Sequence, residues 1–135
     1  MADLHRVIPL VGFDGIRFGD TRSKVRKYLK NTFNLDYSTF EQGNGDILAE
    51  NYRTFNVYFD EKDCCEAVEF SDDCVVVIGD VAVLPGTVKH MLDLFPDIGN
   101  DLLSYKNSIG IYAPEGEEIE ALLFGAPDYY NGYKV

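Results

Sequence analysis

The chain has 135 residues and 46% hydrophobic content, enough for one domain with its own core. Twelve Lys and Arg stand against 23 Asp and Glu, a net charge of −11, which disfavours nucleic acid and anionic membranes as partners and favours a basic protein. No stretch approaches the roughly 20 apolar residues of a membrane span, and the opening MADLHRVIPL lacks the pattern of a secretory signal, so the expected location is the cytoplasm.

In chain order, residues 6–12 (RVIPLVG) read as a strand, with Pro9 favouring an edge or a bulge. Phe13-Asp14-Gly15 is turn chemistry, and residues 16–18 form a short extended piece. Asp20 or Thr21 then caps a helix running to about Asn31. Its apolar stripe is Val25, Tyr28 and Leu29, closed by Phe33, and Lys24, Arg26, Lys27 and Lys30 fill its other face. Residues 34–50 read as loop around Gln42-Gly43-Asn44-Gly45-Asp46, with a short strand at 37–40. Residues 53–59 alternate as a strand, 60–63 form a polar turn, and 64–70 return as the hairpin partner. The apolar run CVVVI at 74–78 reads as a buried strand. After an extended piece at 80–83 and the break Leu84-Pro85-Gly86, a second helix runs from about Gly86 to Phe95. Its stripe is Val88, Met91, Leu92 and Phe95, and Pro96 stops it. Residues 128–135 (DYYNGYKV) are a Tyr-rich tail.

The two hairpins repeat each other. VYFDEKDCCEAVEF at 57–70 aligns without a gap on IYAPEGEEIEALLF at 111–124, an offset of 54 (111 − 57). Tyr58, Glu61, Glu66, Ala67 and Phe70 recur as Tyr112, Glu115, Glu120, Ala121 and Phe124. The helix stripes match at an offset of 63, pairing Val25 with Val88, Tyr28 with Met91 and Leu29 with Leu92. The pattern predicts one α+β domain over 1–135, built from two helix–hairpin repeats at about 13–72 and 79–125. One antiparallel sheet would carry both helices on one face. Phe55, Val57, Phe59, Ile109 and Ile111 would meet the helices, with Cys65, Ala67, Ile119 and Ala121 on the return strands.

The other face would then hold Tyr58, Glu66, Val68 and Phe70, with Tyr112, Glu120, Leu122 and Phe124 as their duplicates. Either a terminal segment covers its apolar groups, or the face is open and docks another protein, or it joins two copies of the chain. In the docking reading the tyrosines anchor and the glutamates pair with basic groups. Asp60, Glu61 and Asp63, with Glu115, Glu117 and Glu118, make both hairpin turns acidic. They are solvated turns, or they plug a basic cleft on a partner.

Catalytic and metal signals are weak. Glu66 and Glu120 are a carboxylate pair with no pocket implied between them. His90 lies beside an apolar stripe, and no serine or cysteine stands in a nucleophile motif. Cys64, Cys65 and Cys74 lack zinc spacing and, being odd in number with an adjacent pair, a disulfide framework. No cofactor is implied.

The phrase Gly15-Ile16-Arg17-Phe18-Gly19-Asp20-Thr21-Arg22-Ser23-Lys24-Val25, followed by Leu29, resembles the opening of β-lactamase-inhibitor-like and BamE-like repeats, in which a helical segment precedes an antiparallel hairpin. The resemblance covers most of the first repeat; the second has Leu84-Pro85-Gly86-Thr87 in place of the Gly-Asp-Thr phrase. It implies a two-repeat domain that binds a target enzyme through a sheet face rich in aromatic and acidic groups. Small acidic chains of this style also look like cytosolic immunity proteins that neutralise bacterial toxins. The expected function is a non-enzymatic module, monomeric or homodimeric, that binds a basic enzyme or toxin. A self-associating scaffold and a small-molecule-binding α+β domain are the alternatives.

Overall fold

The computed structural model describes residues 3–41 and 47–130. Their elements run β1 (Asp3–Ile8), β2 (Gly12–Phe13), β3 (Ile16–Arg17), α1 (Arg22–Phe33), β4 (Ser38–Glu41), β5 (Ile47–Tyr52), β6 (Phe55–Phe59), β7 (Cys65–Ser71), β8 (Cys74–Ile78), β9 (Val81–Leu84), α2 (Val88–Leu94), β10 (Leu103–Ser104), β11 (Ile109–Tyr112) and β12 (Ala121–Gly125). The α+β class is as expected, but there are two sheets rather than one. The larger has the order β10-β11-β12-β7-β6-β5-β4 and is antiparallel throughout. The smaller has the order β3-β2-β1-β8-β9, and its central pair, β1 with β8, is parallel. A parallel partner far away in sequence leaves no local signature, so CVVVI read correctly as a strand without revealing its sheet.

Both helices start on a threonine. Thr21 has extended backbone and its hydroxyl accepts the Lys24 N–H; Thr87 does the same for the His90 N–H. Asn34 ends α1 in the left-handed region, its N–H returning to the Leu29 and Lys30 carbonyls. The buried residues are Val25 and Leu29 on α1, and Val88 and Met91 on α2. Leu92, expected in the stripe, is 37% exposed. The caps stand 66 apart (87 − 21), which sets Val25 against Met91, whereas the stripes match at 63, which sets Val25 against Val88. Each cap residue also forms an isolated bridge ahead of a return strand, Thr21 to Cys64 just before β7 and Thr87 to Glu118 three residues before β12; the two targets are 54 apart (118 − 64).

The core lies on the inner face of the larger sheet. Phe55 faces Phe70, Val57 faces Val68, Leu122 faces Phe70 and Ile111, and Phe124 faces Val68 and Ile109. All are buried, in one cluster with Val7, Phe13 and Val76 of the smaller sheet and the buried residues of both helices. Val68, Phe70, Leu122 and Phe124 were expected on the opposite face. A bulge is the reason: the register shifts between Tyr58 and Phe59, so Tyr58 pairs with Ala67 but Phe59 pairs with Cys65, and Glu66 is the extra residue. Counting alternation from Cys65 therefore goes wrong by one, and a one-residue error sends every following side chain to the wrong face. In the second hairpin Ile119 is likewise buried just ahead of β12, while Ala121 pairs with Tyr112 on the outer face.

Candidate functional site

With those four apolar groups in the core, the outer face of the larger sheet is mainly polar. Register places Asn51, Asn56, Tyr58, Ala67, Glu69, Ser71, Ala121, Leu123 and Tyr112 on it. The Asn51 amide donates to Asn56 Oδ1 at 2.8 Å, and the Tyr58 hydroxyl donates to Glu69 Oε1 at 3.1 Å. Burial, then the Glu69 charge and hydrogen bond, push the Tyr58 phenol up to about 12. Tyr112, its counterpart in the second hairpin, is 59% exposed. The residue diagonal to it is Leu123 where the first hairpin has Glu69, so the second tyrosine has no matching acceptor there.

Glu66 sits in the bulge, half-buried, its backbone carbonyl accepting the Ala126 N–H. Burial, then Asp60 and Glu61, raise its carboxyl above the ordinary value. Glu120 is also half-buried, its N–H bonded to the Tyr112 carbonyl and its own carbonyl accepting from Asp72. The structure thus keeps Tyr58, Glu66, Tyr112 and Glu120 at least partly accessible and removes Val68, Phe70, Leu122 and Phe124. The sequence reading missed Glu69 and Leu123, which the register places on this face. Part of the face is covered by the chain itself: a Cβ at Gly125 would collide with the Tyr129 ring, and one at Gly110 with the Tyr130 hydroxyl. Residues 131–135 of the Tyr-rich tail lie outside the described residues.

The acidic turns differ in kind. Asp60 organises the first: its Oδ1 accepts the N–H groups of Lys62 and Cys64 at 2.9 and 3.0 Å. Asp63 pairs with Arg22 at 2.9 Å. In the second turn Glu115, Glu117 and Glu118 are exposed.

A second surface, unexpected from the sequence, is the outer face of the smaller sheet. Leu4 faces Val75, Arg6 faces Val77, and Val77 faces Ala82. Leu4 is 53% and Ile8 62% exposed, and Val11 and Phe33, at the edge of this face, are also exposed. An all-apolar run such as CVVVI suggests burial on both sides, yet Cys74 and Val76 alone are fully buried there while Val75 and Val77 are partly open. A groove of about 710 Å³ runs along β1 beside this face, bordered by Arg6, Ile8, Val11, Arg17 and Phe33.

The titratable groups of the interior are committed to packing. His5, between Phe55 and Phe70 at ring distances of 4.9 and 4.8 Å, bonds Asp14 through Nδ1 at 2.6 Å. Asp14 also accepts the Arg6 N–H at 2.8 Å. Glu50 is fully buried and gathers Arg22, Arg26 and the Tyr52 hydroxyl, binding α1 to β5. Cys65 and Cys74 are buried and Cys64 is half-buried. Burial pushes the Cys65 thiol up to about 12, against a weaker opposing hydrogen bond from Ala67. Among the described residues no three His, Cys, Asp or Glu form a metal-binding group, and no helix is long and apolar enough to cross a membrane.

Comparison with protein-family models, curated proteins and solved structures found no match. The chemistry of these two faces therefore carries the functional argument.

Proposed function

We propose that the chain is a non-enzymatic protein-binding module, an inhibitor or immunity protein that neutralises a basic enzyme or toxin in the cytoplasm. The observation that carries the proposal is the outer face of the larger sheet, with Tyr58 and Glu69 bonded at 3.1 Å and Tyr112 left 59% exposed. An exposed tyrosine offers large contact area at small entropy cost. Glu66 and Glu120 stand at its margins with the exposed Glu115, Glu117 and Glu118. With the net charge of −11, these groups would steer and hold a cationic partner. The resemblance of the Gly15–Leu29 phrase to inhibitor-type repeats supports the same reading.

We also read the two hairpins as copies of one ancestral unit. Supporting this, Phe55↔Phe70, Val57↔Val68 and Tyr58↔Ala67 recur at the offset of 54 as Ile109↔Phe124, Ile111↔Leu122 and Tyr112↔Ala121. The copies would present two related but non-identical contact patches.

The test is affinity capture from the native host with wild type beside a Tyr58→Ala/Tyr112→Ala variant of unchanged melting behaviour. A basic protein held by wild type and lost by the folded variant is the expected outcome. Retention of the same partner by both would remove this face from the interaction, and capture of nothing by either would count against the binding reading itself.

A further inference from the structure

We propose that the outer face of the five-stranded sheet is a second docking surface, fitted to a protein segment that carries apolar side chains together with carboxylates. The face combines two chemistries. Leu4, Ile8, Val75 and Val77 supply apolar area along β1 and β8. Arg6 lies between Leu4 and Ile8 on the same side of β1, and Arg17 projects from β3 beyond the Ile8–Gly12 and Gly12–Arg17 pairs. Among the described residues neither guanidinium has an ion-pair or hydrogen-bond partner. By contrast Arg22 and Arg26, on the other side of the fold's charge balance, are both tied to Glu50.

Charge complementarity sets the occupant. In a molecule of net charge −11, two arginines with no partner among the described residues share this face with apolar groups. Asp14, the carboxylate bordering the groove, already serves His5 and the Arg6 backbone. A planar guanidinium beside apolar surface is suited to a carboxylate on an approaching chain. The extent of the face favours a macromolecule over a small ligand. Leu4 to Ile8 spans four residues, about 13 Å of strand, and β8 and β9 extend the surface sideways by about 4.8 Å each. A second copy docking face to face about an axis through Arg6 would oppose like charges, which is unfavourable, and the face itself offers its arginines no carboxylate free to pair with them.

Gly12 explains the shape of the groove. A Cβ there would collide with the Ile16 carbonyl, so β3 can fold tightly over β2 and swing Arg17 alongside Ile8.

The test selects displayed random dodecapeptides on the immobilised full chain, then measures synthetic forms of the enriched peptides in solution. The expected peptides carry Asp or Glu interspersed with Leu, Ile, Val or Phe. Their affinity should fall at least about tenfold in Arg6→Ser/Arg17→Ser and in Ile8→Ser, and fall with rising salt. All three side chains are exposed, so both variants should melt like wild type. Tyr58→Ala/Tyr112→Ala should bind these peptides as wild type does, which separates this surface from the one proposed above. Enriched peptides without carboxylates, equal binding to the arginine variants, or no enrichment would overturn the proposal. So would a stable homodimer in sedimentation that Ile8→Ser dissociates, because the occupant would then be a second copy.

Discussion

Glu69 on β7 lies directly across from Leu123 on β12, its own counterpart 54 residues further along the chain (123 − 69). The flanking pairs exchange around it: Val68 faces Phe124, and Phe70 faces Leu122. Adding 54 to the first residue of either pair and subtracting it from the second gives the other pair. This is the register that the duplication proposed above would require, and the apolar pairs fit it while the outward-facing pair does not match in chemistry. Glu69 holds the Tyr58 hydroxyl; Leu123 leaves Tyr112 exposed.

The Glu69–Leu123 position gives a charge test. Leu123→Glu would set a second carboxylate opposite Glu69 and should destabilise the fold by about 0.5–1 kcal/mol at neutral pH. Leu123→Lys would place a cation there and should be near neutral or slightly stabilising. Urea unfolding of both variants checks this, and the cost of Leu123→Glu should shrink in acid as the carboxylates protonate. Equal effects of Glu and Lys would mean that the two positions do not interact.

The core should report the bulge at Glu66. Phe70→Ala and Phe124→Ala remove fully buried rings from the inner face and should each cost about 3–5 kcal/mol. Tyr112→Ala, on an exposed side chain, should lie within about 0.5 kcal/mol of wild type. Urea or thermal melts decide between this and the alternation read without a bulge, which would make the two phenylalanine variants mild.

Much of this architecture was legible because it is local. Asp20 or Thr21 was the expected cap and Thr21 fills it, and the alternation of 53–59 announced β6. What escaped was non-local. β5 read as loop, since Glu50 and Asn51 are poor strand residues by propensity and Glu50 is held inside by Arg22, Arg26 and Tyr52, two of them on a distant helix. The parallel pairing of β1 with β8 joins segments about 70 residues apart. The candidate site suffered from the bulge, which hides in the sequence because Glu66 and Glu69 both look like outward residues and only the register shows which one completes Tyr58.

The Glu50 cluster should behave as a buried ionic group. Glu50→Gln keeps the shape but leaves Arg22 and Arg26 facing a neutral amide, and Glu50→Ala leaves them with no acceptor there. Removing one side of a buried pair typically costs about 3–5 kcal/mol, so Glu50→Ala should approach that range and Glu50→Gln should fall below it. Chemical denaturation measures both. A loss under about 1 kcal/mol for Glu50→Ala would show that water or another acceptor replaces the carboxylate.

His5 should make stability fall with alkalinity. Burial pulls its imidazole down, but the Asp14 hydrogen bond, helped by Cys74 and by the Asp14 charge, outweighs this and raises it from 6.5 to about 9. The folded state therefore holds this proton more tightly than the unfolded state. Its stabilising contribution is fully present below about pH 6.5 and is lost as pH rises through about 9. At about 1.4 kcal/mol per tenfold change in proton affinity, the window is worth on the order of 3 kcal/mol. Urea midpoints measured across this range should decline for wild type, and the decline should flatten in His5→Gln and in Asp14→Asn. Cys65, whose thiol burial also raises, to about 12, adds an alkaline loss of its own, so the His5 share is the part of the slope that flattens in these variants. A wild-type slope that persists unchanged in both variants would assign the alkaline loss to another group. A flat wild-type profile would mean that the buried imidazole is neutral beside Asp14, with its proton held on Nδ1.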